Sequence, residues 1–185
     1  MTAKRVPYRF SVNDYERLIE VGILTENSNV ELIRGEIVSK MPIGDPHIAC
    51  VNRLTRLLVR AVGDEAITSI QNPIKLKDSE PEPDVVLLMP RMDDYANGKA
   101  TLAEILLVIE VADTSLEYDR EIKLALYAEN GIREFWIVNL IDGCLEVYRQ
   151  PNSDGTYAEM LALGGSETVE PLLLKSFVIS VSSMF

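Results

Sequence analysis

Three side chains in this sequence have the types and spacing of a metal-dependent hydrolytic centre: Asp84, Glu110 and Lys123. Asp84 opens the apolar run Val85-Val86-Leu87-Leu88, and Glu110 interrupts a longer one, Ile105 to Ile109 followed by Val111-Ala112. Lys123 follows on a stretch that reads as an amphipathic helix carrying Leu116, Ile122, Leu124, Leu126 and Tyr127. A run as apolar as 105–112 is a strand covered on both faces. An ionised carboxylate inside it is costly unless paired or bound to metal. Two carboxylates bind a hard divalent cation through oxygen, with Mg²⁺ keeping several waters. Such an ion polarises a phosphate and lowers the pKa of an attacking water, while an ammonium stabilises charge on the phosphoryl oxygens. That chemistry is phosphodiester hydrolysis. Each residue also has a plainer reading. Asp84 alone is a strand-end acid in water. Glu110 forms an ion pair within the core, with Lys123 itself. Lys123 alone lays its stem along an apolar surface.

The elements that must position these groups follow in order. Ser11, with Asp14 three residues on, caps a helix whose face carries Tyr15, Leu18, Ile19 and Val21, and Gly22 stops it. Two β-prone runs around Arg34-Gly35 form a hairpin. Asp45-Pro46 opens a helix reaching about Val62, with Ile48, Val51, Leu54, Thr55, Leu58 and Val62 as its apolar stripe. Ala66 to Leu76 reads as a strand interrupted at Pro73, and Asp84 to Met89 as the next. A polar loop at 91–100 precedes the strand that delivers Glu110. The turn Asp113-Thr114-Ser115, the helix of Lys123, the stop at Gly131 and the strand Glu134 to Leu140 come after it. Asp142-Gly143 is a hairpin turn, and Asn152 to Gly155 is another turn before Tyr157 to Leu163. Helix or strand is open for the apolar tail from Pro171 to Phe185. Runs of strands with few crossover helices imply a mixed α/β (α+β) fold, a single domain over residues 1–185.

The chain has 185 residues, 47% hydrophobic and 25% charged, enough for a full core. Its net charge of -11 argues for a soluble protein and against a general nucleic-acid coat protein. No apolar run is long enough to span a membrane, and Met1 to Phe10 lacks the apolar centre of a signal peptide. Cys50 and Cys144 form no C-x-x-C pair, so neither zinc nor a disulfide framework is implied, and a reducing cytoplasm is the expected location. Arg53, Arg56 and Arg60 share one helix face. They are either a nucleic-acid-binding face or a solvated face with surface ion pairs.

Pro83-Asp84, a gap, then Glu110-Val111-Ala112 resembles the PD-(D/E)XK nuclease motif, with Ala112 where lysine is usual. Lys123 on the following helix matches a variation of that motif. A wider ordered set adds Val30 to Val38, Met41-Pro42, His47, Ser115, Asp119, Tyr127 and Gly131 to Val138. Over roughly residues 8 to 180 it resembles the Uma-type restriction endonuclease family, a bacterial family long described only as a domain of unknown function. The resemblance implies a restriction-endonuclease-like core, a central mixed sheet flanked by helices. It implies Asp84, Glu110 and Lys123 as the catalytic set, with Mg²⁺ or Mn²⁺ held by Asp84, Glu110 and the Val111 carbonyl. Glu31 adds an acid from the hairpin or is an exposed hairpin acid. Gln71, on the strand before Asp84, faces the site or satisfies backbone and water. His47 packs or caps at its helix start or else lines the cleft, Asp119 is a helix acid pairing with Lys123 or Arg120 rather than a ligand, and Tyr127 and Trp136 are core aromatics.

Two functions follow. One is a metal-dependent endonuclease acting on DNA, as a homodimer whose two clefts face one duplex. The other is a catalytically inactive nuclease-fold protein serving as an oligomeric interaction or binding module, associating through its apolar tail or a strand edge. A basic cleft centred on Asp84 and Glu110 favours the first. An acidic surface throughout, with the site plugged, favours the second. No separate recognition domain is visible.

Overall fold

The computed structural model describes residues 6–175 and 177–185. Helix α1 (Val12–Glu20) is capped as its sequence requires, Ser11 Oγ accepting from the Asp14 amide and Asp14 Oδ2 from the Ser11 amide. It buries Val12 and Tyr15, while Ile19 and Val21 face outward, so only its first turn is inserted.

Strands β1 (Val30–Ile33) and β2 (Glu36–Ser39) pair around Arg34 and Gly35, whose φ values are +48° and +75°. Positive φ at both central residues gives the tight turn whose twist matches the flanking strands. A Cβ on Gly35 would lie 2.9 Å from Arg9 Cβ and 3.0 Å from the Phe10 carbonyl oxygen. Gly35→Ala therefore combines backbone strain with a clash, and should cost roughly 2 kcal/mol or more in urea unfolding. A loss under about 0.5 kcal/mol, the scatter of neutral surface changes, would show that the turn relaxes freely.

Helix α2 (Asp45–Val62) buries His47, Cys50, Val51, Leu54, Leu58 and Val62. Ile48 is exposed, so the inner stripe is rotated toward His47 and Cys50. The six-stranded sheet runs β3 (Ile67–Ile70), β4 (Val85–Leu88), β5 (Ile105–Ala112), β6 (Glu134–Asn139), β7 (Cys144–Pro151) and β8 (Tyr157–Gly164), in spatial order. Only β5 and β6 are parallel; the other neighbours are antiparallel. A parallel pair needs a crossover, supplied by α3 (Leu116–Tyr118), a π turn at Asp119–Lys123, and α4 (Leu124–Glu129). The strand expected at 66–76 stops at Ile70, because Gln71 turns the chain with φ +50°.

The two faces of the sheet divide by residue parity. Leu107, Ile109 and Val111 join the cluster of α2, while Val108 and Ala112 join that of α4. The same holds on β4 for Val85 and Leu87 against Val86 and Leu88. Strand β9 (Thr168–Val169) pairs with β10 (Ile179–Ser180), and Ile179, Val181 and Met184 are buried beside α2. These tail residues are therefore core. The exposed apolar strand edge is β8, with Met160 and Leu161 outward. The fold is mixed α/β, a central mixed sheet flanked by helices. Among the described residues no helix is long and apolar enough to cross a membrane.

Candidate active site

Antiparallel register brings the two strand carboxylates together. Val85 pairs with Ile109 and Val86 with Val108, so one step further sets Asp84 opposite Glu110. Parity turns Glu110 to the α4 face. The Asp84 amide lies 3.4 Å from Glu110 Oε2, and Glu110 Oε1 accepts from Lys123 Nζ at 2.9 Å and Tyr127 Oη at 2.7 Å. Asp84 is fixed from both sides. His47 Nε2 lies 2.9 Å from its Oδ1, and the Val111 amide donates to its Oδ2 at 2.8 Å. Glu31 Oε2 accepts from the Glu82 amide at 3.2 Å and stands 4.0 Å from Lys123 Nζ. Asp119 accepts from Ser115 Oγ at 2.6 Å.

The π turn explains how one helix delivers several groups. The Leu124 amide bonds the Asp119 carbonyl, five residues back. A step of four residues lags on such a turn and leads on an ordinary one. The steps Asp119 to Lys123 and Lys123 to Tyr127 therefore nearly cancel. Lys123 and Tyr127 both reach Glu110, and Asp119 lies close enough to act on its charge.

Glu31, Asp84, Glu110 and Asp119 are all buried, and Lys123 is the buried cation among them. Burial pushes Glu110 up to about 8 against the pull of Lys123. Burial likewise raises Asp119. Burial opposes the charge on Lys123, but Glu110, Glu31 and Asp119 outweigh it and hold the ammonium above its ordinary value. Of the pair, Lys123 stays charged and the burial cost falls on Glu110. His47 is also raised: burial opposes its protonation, and the hydrogen bond and charge of Asp84 prevail. Desolvated negative charge in such excess is neutralised by protons or by a cation. Its donors are hard oxygens, which suit Mg²⁺. Among the described residues no three His, Cys, Asp or Glu side chains are arranged to hold an ion. Two carboxylates completed by a carbonyl and water need no third.

These groups lie at the floor of a cleft of about 640 Å³. Its charged lining is acidic: Glu31, Glu82, Asp84, Glu110, Asp113 and Asp119 against Lys40 and Lys123. Both lysines are paired, Lys40 with Glu82 at 2.7 Å and Lys123 with Glu110. The basic cleft anticipated for a nuclease is not there. Arg53, Arg56 and Arg60 do not line it. They lie further along α2, with Arg56 and Arg60 exposed. Gln71 does line the cleft, from the turn after β3 rather than from a strand. Glu31 is buried, so its reading as an exposed hairpin acid is wrong. Glu110 and Lys123 form the core ion pair and line the cleft at once.

Two residues have a larger place than their sequence context indicates. Tyr127 is a core aromatic whose hydroxyl bonds Glu110, and its spacing of four from Lys123 was the available signal. His47 bonds Asp84 across 37 residues of chain, and no periodicity connects them.

A family model described as "Putative restriction endonuclease", that of Uma2, matches residues 12–182. Among solved structures, a crystal structure titled as "a putative nuclease belonging to DUF820" from Anabaena variabilis ATCC 29413 superposes with a TM-score of 0.73. It shares 16% sequence identity, and the match covers 95% of this chain and 97% of that one. At that identity the likeness speaks for the fold. No curated protein of similar sequence was found. With the family model matched over nearly its whole length, the chain belongs to the Uma2 family.

Proposed function

We propose that this protein is a metal-dependent endonuclease that hydrolyses phosphodiester bonds, with DNA as its substrate. The observation carrying this reading is the meeting of Asp84, Glu110 and Lys123 at one buried point of a cleft. Asp84, Glu110 and the Val111 carbonyl are the groups to hold Mg²⁺ or Mn²⁺. The ion would supply Lewis-acid polarisation of the phosphoryl oxygens and a lowered pKa for water. The protein's own residues do the rest. Lys123 offers its ammonium to the oxygens on which charge develops. Lys123 and Tyr127 orient Glu110, and His47 and the Val111 amide orient Asp84, so neither carboxylate reorganises as charge builds. The water oxygen bonds to phosphorus and gives up a proton as the bond to the leaving sugar oxygen breaks, and that leaving oxygen takes up a proton, so the step is balanced. A reducing, cytoplasmic setting is part of the same reading, since Cys50 and Cys144 stand far apart in the sequence and form no C-x-x-C pair.

The acidic lining favours a second reading, a nuclease fold without activity serving as an oligomeric interaction module. A net charge of -11 opposes duplex binding, and a homodimer placing two clefts on one duplex would offset it locally. Supercoiled plasmid incubated with Mg²⁺ or Mn²⁺ separates the two. Nicking with metal binding by isothermal titration supports the enzyme, and neither supports the module. The arginines of α2 are tested separately. If they meet DNA phosphates, the double variant Arg56→Ala with Arg60→Ala should flatten the dependence of log K on log salt by between about one and two units. An unchanged slope would make them an ordinary solvated face.

A further inference from the structure

Phosphate recognition normally rests on lysine and arginine, yet both lysines of this cleft are engaged by carboxylates. What the cleft offers instead is apolar. Met41, Pro42 and Ile43, between β2 and α2, are exposed and line its mouth. The half-buried ring of Tyr118 also lines it. Met41 and Ile43 are 47% and 52% exposed, so water-facing apolar surface sits beside the carboxylates.

The Tyr118 hydroxyl adds a constraint. Tyr15, Tyr95, Tyr127, Tyr148 and Tyr157 each donate to a protein acceptor. The Tyr118 hydroxyl is shut off from solvent and has no partner among the described residues. The hydroxyl lies inward, within reach of the charges of Glu31, Lys123, Asp119 and Glu110, so the part of this side chain left to solvent is its ring. Sequence-tolerant strand binding rests on such faces, because every base has a π surface. Met, Ile and Pro are among the apolar side chains that proteins insert between bases. A cleft of about 640 Å³ is the size of a small-molecule site, and its acids would repel the second strand of a duplex.

We infer that the cleft takes single-stranded nucleic acid, packing a base on Tyr118 and the Met41-Pro42-Ile43 lip while one phosphate reaches Lys123 and the strand carboxylates. This rests on the nuclease reading and narrows its substrate. Only the scissile phosphate then needs neutralising, so an acidic lining and nuclease chemistry are compatible. Supercoiled plasmid, which exposes unpaired segments, should be nicked faster than the same plasmid relaxed.

The test is fluorescence anisotropy of a labelled single-stranded oligonucleotide and its duplex, in Ca²⁺ so that binding is read without turnover. The wild type should bind the single strand at least about 10-fold more tightly than the duplex. Tyr118→Leu should lose about 10-fold on the single strand, and Ile43→Ser several-fold. Met92→Ser, at a fully exposed side chain that does not line the cleft, should bind like the wild type. Thermal unfolding of each variant checks that the fold is kept, and Met92→Ser supplies a control away from the cleft. Equal or tighter duplex binding, no binding of either form, or an unaffected Tyr118→Leu overturns the inference. Single-strand binding with no cleavage in any metal overturns the nuclease reading and leaves this one standing. Duplex nicking without single-strand binding does the reverse.

Discussion

Glu110→Gln is expected to lower plasmid nicking by roughly 10³-fold or more while leaving the protein folded. Glutamine keeps the shape and an oxygen to accept from Lys123 and Tyr127, which now reach Oε1 at 2.9 and 2.7 Å. It removes the charge, so Mg²⁺ and Mn²⁺ titrations should weaken alongside nicking. The same change should appear in stability against pH. Burial raises Glu110 to about 8 from an ordinary 4.5, so the folded state holds this proton more tightly than the unfolded one. The metal-free wild type should therefore lose stability as pH rises from about 4.5 to 8, by at most ~1.4 kcal/mol per pH unit from this one group. His47, also raised, adds a loss of the same sign from about its ordinary 6.5 upward. Glu110→Gln should remove the first part and keep the second. Mg²⁺ favours the ionised carboxylate and should flatten the wild-type slope but not the mutant's. Nicking within 10-fold of wild type, or an unaltered slope, would remove Glu110 from the site.

Glu110 is legible as a candidate for a physical reason: a charge inside an apolar run must be paired, protonated or functional. Asp84 only opens its run and Lys123 alone reads as a snorkelling lysine, so these two stand out through the family resemblance rather than through pattern. The hairpin at Arg34-Gly35 and α2 follow from turn chemistry and period, and the Gly22 and Gly131 stops fall where expected, whereas neither signal says that β5 and β6 run parallel. What is not legible depends on direction. The spacing of Arg53, Arg56 and Arg60 shows that they share a face, not that they lie outside the cleft lining. The burial of Glu31 depends on the backbone amide of Glu82, 51 residues away. Residues 119–123 are ordinary helix formers, and nothing in Asp-Arg-Glu-Ile-Lys announces a π turn. The acidity of the cleft is set by which acids converge, which net charge does not report.

Lys123→Met tests whether the ammonium is structural, catalytic or both. Methionine replaces the stem but leaves Glu110, Glu31 and Asp119 buried around a missing cation. Removing one partner of a buried ion pair typically costs about 3–5 kcal/mol, since the remaining charge is uncompensated. The deficit should depend on pH with a definite sign. Lys123 now pulls the pKa of Glu110 and Asp119 down, so without it both rise further. Groups raised in the folded state contribute stability at low pH and lose it as pH climbs through the folded value. The variant should therefore lie nearest the wild type at about pH 5 and furthest from it above about pH 8. Mg²⁺ should restore it at high pH more than it stabilises the wild type, because the ion supplies the only positive charge left among those carboxylates. Folded and metal-loaded, the variant should still nick roughly 10³-fold more slowly, for want of the donor that meets phosphoryl charge. Mg²⁺ rescue of stability together with near wild-type nicking would make Lys123 a structural counter-ion alone. Lost nicking after rescue would place its ammonium on the substrate.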